Sequence, residues 1–66
     1  MNKKQRLELS RIKDRLEEIR SAEEEKKMNL EDVNLDTTPT YDQLENCIEI
    51  LESAIDELQR IVDGDY

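Results

Sequence analysis

An all-α fold is predicted: two antiparallel helices forming a hairpin, which pairs with a second copy into a four-helix bundle. Three features of the sequence predict it. Apolar residues recur at spacings of three and four in two long segments, which is the helical period. Between the segments lies DVNLDTTPTYDQ, whose Pro39 disfavours helix at the residue before it. The two segments also carry opposite charge. Residues 1–28 hold nine of the ten bases against seven acids, about +2, and residues 29–66 hold Arg60 and eleven acids, about −10. Folding the chain back brings the basic start of the first helix (Lys3, Lys4, Arg6, Arg11, Lys13) beside the acidic end of the second (Asp56, Glu57, Asp63, Asp65). Exposed ion pairs of this kind are each worth about 0–1 kcal/mol, so they set orientation more than stability.

Helix 1 is expected over about 3–27. Asn2 is a good N-cap, and Gln5 stands three residues on, at the capping-box position. Leu9, Ile12, Leu16 and Ile19 line one face, continued only by Ala22, a narrow stripe of coiled-coil type. The run SAEEEKKM favours helix but is nearly all polar.

A linker is expected over about 28–40. Asp32, Asn34 and Asp36 alternate like the first ligands of an EF-hand calcium loop. That loop needs Gly at its sixth position and Glu at its twelfth, and counting from Asp32 these are Thr37 and Gln43, with Pro39 between. A connecting segment is therefore expected, with Leu30, Val33 and Leu35 folding over the open end of the core near Leu44 and Ile48.

Helix 2 is expected over about 41–63, with Thr40 as N-cap, Gln43 completing a capping box, and Asp42 favourably placed in the first turn. Its stripe is broad: Leu44, Cys47, Ile48, Leu51, Ala54, Ile55, Leu58, Ile61 and Val62, with Ile50 at its edge. Gly64 is placed to end the helix, and residues 64–66 form a short tail. The narrow stripe of helix 1 cannot cover so wide a face. The expected shared core and dimer face is Leu9, Ile12, Leu16 and Ile19 with Leu44, Ile48, Leu51, Ile55, Leu58 and Val62, and helix 2 is central. A different protein filling the same face is the rival.

Composition limits function. With 66 residues, no Phe, no Trp and 42% charged residues, one chain has little material for a core. The absence of His removes the usual zinc sites and the usual base for a nucleophile, and the lone Cys47 falls on the apolar stripe as a small hydrophobe. The single glycine leaves no phosphate-binding loop. No enzyme activity, metal or cofactor is expected. A net charge of −8 speaks against direct binding to nucleic acid or anionic membranes and for a basic protein partner. A lone thiol, with no apolar leader or span, predicts a cytoplasmic setting.

The sharpest candidate surface is the acidic edge of helix 2: Asp42, Glu45, Glu49, Glu52 and Asp56, extended by Asp63. Successive acids lie about 5 Å apart at 1.5 Å rise per residue, not far from the phosphate spacing of a nucleic-acid strand, so the edge is expected to act as a nucleic-acid mimic that occupies a basic groove on another protein. An ordinary solvated helix face would look similar. The basic start of helix 1 could contact phosphates, but no aromatic interleaves it. Two further expectations are an assembly protein that binds a partner helix through the apolar face of helix 2, and a sponge for a small ligand at a dimer interface.

The segments LEEIRSAEEEKKMNLEDVNL and LESAIDELQRIV, with Tyr41–Glu45 between them, resemble a group of short, acidic helical-hairpin proteins of Gram-positive bacteria and their phages. Glu31 stands where members of that group often have Pro. The resemblance implies an accessory protein, in the host cytoplasm if phage-encoded, that acts by binding and inhibiting a host protein. It implies no catalytic residue.

Overall fold

The computed structural model describes residues 1–64, so the expected tail residues Asp65 and Tyr66 lie outside the described residues. Two helices make up the fold, α1 (Lys3–Asp32) and α2 (Pro39–Val62), packed along each other. The contacts of Lys13 with Gln59 and of Lys27 with Glu45 run in opposite chain directions, so the pair is antiparallel. The hairpin is a rod of 47 × 15 × 13 Å.

The start of α1 follows the expected chemistry. The Asn2 side-chain oxygen accepts from the Gln5 N–H at 2.9 Å, and the Gln5 side chain accepts from the Asn2 N–H at 3.2 Å. This reciprocal pair satisfies two donors that the first turn leaves open.

The end of α1 differs from the expectation. The helix does not stop near residue 27 but continues to Asp32, and the linker shrinks to residues 33–38. The cause is a C-terminal motif centred on Asn34. Its φ is +60°, its N–H bonds the Glu31 carbonyl at 3.1 Å, and the Leu35 N–H bonds the Leu30 carbonyl at 2.7 Å. Those two crossed bonds form a Schellman motif, in which Asn is the best substitute for Gly at the left-handed position. Leu30 is therefore a helical residue, half-buried, and Val33 and Leu35 are exposed rather than folded over the core.

The start of α2 also differs. Its N-cap is Thr38, not Thr40, and Pro39 occupies the first turn, where its missing N–H costs nothing. The Thr38 hydroxyl accepts from the Tyr41 N–H at 3.3 Å and donates to the Leu35 carbonyl at 2.8 Å, tying the cap to the loop.

At the other end Gly64 does terminate α2, at φ +90°. A Cβ there would lie 2.9 Å from Nη1 of Arg6. Gly64→Ala is expected to lower stability by about 1 kcal/mol, because the left-handed backbone suits only glycine there. Chemical denaturation checks this, and an unchanged midpoint would show that the turn relaxes freely.

Packing is thin. Only Ile48 (8% exposed) and Ile55 (5%) are buried among the described residues, and both belong to α2. The accessible surface is 5002 Å². A compact monomer of this mass exposes about 4,400 Å². The excess surface is what a two-helix rod without a third layer must show.

Candidate functional site

The seam between the helices is built from unexpected residues. On α1 the half-buried positions include Leu9, Leu16, Glu23 and Leu30, alternating with Arg6, Lys13, Arg20 and Lys27, with Ser10 and Glu17 beside them. The second set is basic at every heptad. Long basic side chains can lay an aliphatic stem along an apolar seam while the charged head reaches the rim. Lys13 does so most fully, with its side chain 14% exposed. Its amino group donates to Oε1 of Gln59 at 2.6 Å and lies 3.7 Å from Glu17. Lys27 pairs with Glu45 at 3.3 Å. The register between these two contacts sets Arg20 level with Glu52, one heptad from each, while its guanidinium lies 3.8 Å from Glu24 on its own helix. One side of the hairpin is thus an ionic seam.

The start of α1 lies beside the end of α2. Lys13 contacts the neutral Gln59, and Arg6 lies against Gly64.

The opposite side is apolar and open. Turning away from the ionic seam, α1 presents Ile12 (51% exposed) and Ile19 (36%), with Ala22 beside them. On the same side α2 presents Cys47, Ala54 and Ile61, with Ile50 (70% exposed) at the edge. At its end, Met1, Glu57, Arg60 and Ile61 line a shallow groove. The residues expected to form one core and dimer face therefore divide. Ile48 and Ile55 are buried. Leu9, Leu16, Leu44, Leu51, Leu58 and Val62 are half-buried in the seam, and Ile12 and Ile19 stand outside it. Cys47 is exposed at the edge of the open flank, where it had been expected inside the apolar face. Among the described residues nothing is packed over Ile12 and Ile50 on this flank.

Of the acidic residues of α2, Asp42, Glu45, Glu49, Glu52 and Asp56 fall on the ionic side, whereas Glu57 lines the groove at the end of the apolar flank. Asp42, Glu49 and Asp56 form the outer ridge, one heptad apart, about 10.5 Å at 1.5 Å per residue. Glu45 and Glu52 form an inner row toward α1, where Glu45 meets Lys27. The edge is thus two rows rather than one ladder of closely spaced charges, and its inner row faces bases. Asp63 accepts from the Gln59 amide at 2.7 Å.

The loop end carries a small polar cluster that the sequence reading missed. The Tyr41 hydroxyl donates to Glu31 Oε1 at 2.5 Å, and Lys27 lies over the ring, 5.4 Å from its centre. The hydrogen bond to Glu31 raises the Tyr41 pKa above its ordinary value, helped by the negative charges around it. Glu31 can reach Tyr41 only because α1 extends that far, so the extra turn and the cluster are one feature. The acids once compared with a calcium loop are dispersed: Asp32 ends α1, Asn34 is the helix stop, and Asp36 is in the loop. Among the described residues no group of three His, Cys, Asp or Glu side chains is placed to hold a metal ion, and no helix is long and apolar enough to cross a membrane.

No protein-family model matches the chain, and neither a curated protein nor a solved structure does.

Proposed function

We propose that the chain is a small non-catalytic interaction protein that works as a pair of hairpins. The apolar flanks join the pair, and the acidic sides face outward to engage a basic surface on another protein. The observation that carries this reading is the division of the rod into two unlike sides. Ile12, Ile19 and Ile50 lie on one, and Asp42, Glu49 and Asp56 on the other. An ordinary amphipathic hairpin buries its apolar stripe between its own helices. This one leaves three isoleucines exposed outside the seam. An exposed apolar band beside a charged ridge is the pattern of an interaction surface.

The reading fits the setting implied by the resemblance to phage and Gram-positive hairpin proteins: an accessory protein in the cytoplasm that inhibits a basic host protein by occupying its anionic-ligand surface. The two-row geometry of the acids favours charge complementarity with a basic protein over close imitation of a phosphate backbone.

The test is capture from host lysate with tagged protein at increasing salt, using the natural chain and a variant with Glu45, Glu49 and Glu52 all changed to Gln. The expected result is a partner held by the natural chain, released by salt, and lost in the variant, with helical circular dichroism unchanged. A partner that survives high salt and binds the variant equally would overturn the acidic-side reading. It would leave the alternative that the open flank of α2, through Ile50 and Ile61, docks a helix of another protein in an assembly role.

A further inference from the structure

We infer that the apolar flank is filled by a second copy in one specific arrangement: a two-fold axis parallel to the helices, α1 of each hairpin lying on α2 of the other, and both loops at the same end. This rests on the paired-hairpin reading and adds the geometry of the site.

Area permits it. One long face of a 47 by 15 Å rod offers at most about 700 Å², so full face-to-face contact of two rods would bury about 1,400 Å², inside the ~1,200–2,000 Å² of stable interfaces. Need supports it as well. A chain of this length with two buried residues among those described lacks the core of an independent domain. A second hairpin is the smallest addition that covers both helices of the flank at once.

Two closed arrangements are possible for a pair of such rods, and charge and size choose between them. The contacts of Lys13 with Gln59 and of Lys27 with Glu45 fix the level of every α1 residue against α2. With the axis parallel to the helices, α1 meets the other copy's α2 at that same level. Arg15 then stands beside Glu57 of the second copy, and the contact occurs twice. Ile50, the most exposed isoleucine, meets the small Ala22. Ile19 meets the small Ala54, and Ile12 meets Ile61. Large residues lie opposite small ones and opposite charges meet, as a packed interface requires. With the axis perpendicular to the helices, each helix lies on its own copy. The alignment that pairs Ile12 with Ile19 of the second copy puts Arg15 on Arg15 and Glu57 beside Glu57. Like charges then face each other in both layers. The alignment centred on Ala54 instead sets Glu57 against Leu51.

Disulfide trapping distinguishes the two. In a Cys47→Ser background, Ala22→Cys and Ile50→Cys chains are prepared separately, mixed and oxidised gently. A covalent dimer should form in the mixture and in neither variant alone, because a disulfide needs Cα atoms within about 7 Å. Ala54→Cys alone should not cross-link. Sedimentation equilibrium of the natural chain is run in parallel. If Ala54→Cys links to itself while the mixture does not, the arrangement is overturned and the pairing stands. A dimer in sedimentation with no cross-link in any sample also overturns the arrangement. If the natural chain sediments as a monomer, the pairing itself falls.

Discussion

Ile55→Asp is expected to abolish the helical circular dichroism of the protein. Among the described residues Ile55 is the most buried, and it and Ile48 are the only ones classed as buried. Placing a carboxylate there removes the burial of an isoleucine, about 1.5–3 kcal/mol, and adds the cost of a buried polar group without a partner. The sum exceeds about 4 kcal/mol. A domain of this size holds roughly 0.05–0.15 kcal/mol per residue in total. The change therefore consumes most or all of the stability, and the unfolded state is expected at room temperature. Ile50→Asp is the informative control. Ile50 is 70% exposed in the hairpin, so its loss should cost the single rod little. Within a pair, the same change buries a charge opposite Ala22 and should shift the protein to monomer. Equal helicity for the natural chain and Ile55→Asp would show that the helices stand without the seam, which their length and polar composition argue against.

Much of this was legible from residues, and where it was not the reasons are specific. Asn2 with Gln5, and Gly64 at the end of α2, are local signals, and local chemistry decided both ends. The end of α1 was hidden because Asn34 suits two roles. Read beside Asp32 and Asp36 it resembles a ligand; read three residues after Glu31 it is a helix stop. Helix 1 lost its apolar stripe after Ala22, so nothing in the hydrophobic pattern carried it past residue 27. Its final turn is held by the crossed backbone bonds at Asn34 and by Tyr41 reaching Glu31. The face of α1 was misjudged for a different reason. A search for apolar periodicity finds Leu9, Ile12, Leu16 and Ile19. The seam instead uses Leu9 and Leu16 with Lys13 and Arg20, whose aliphatic stems count as polar in any hydropathy pattern. The signal was available in another form: Arg6, Lys13, Arg20 and Lys27 recur at an unbroken heptad, as solvated charges need not.

That basic heptad leads to the second large effect, of opposite sign. Lys13→Leu combined with Gln59→Leu should stabilise the protein against denaturant by about 1–3 kcal/mol. Lys13 holds an ammonium at a position 14% exposed, and its hydrogen bond to Gln59 replaces hydration that both groups would otherwise have. Exchanging a part-buried polar pair for apolar residues of similar volume is often stabilising, whereas removing one partner alone strands the other. Lys13→Leu by itself should therefore gain less than the double variant. The gain comes with a loss of definition. The ionic seam tells the hairpin which flank is closed and which is open, because only one side of each helix carries Lys13, Arg20 and Lys27 or Glu45, Glu52 and Gln59. Made apolar at this level, the rod has two flanks that can accept a neighbour. Sedimentation should then show species larger than those of the natural chain, at the same concentration where denaturation shows the higher midpoint. A double variant that is less stable than the natural chain would mean that the Lys13–Gln59 bond holds the helices together rather than only aligning them. Polar residues at seam positions are known to fix register at a cost in stability. In this hairpin the same device also leaves the other flank, with Ile12 and Ile50, exposed, and that flank is the one proposed to pair.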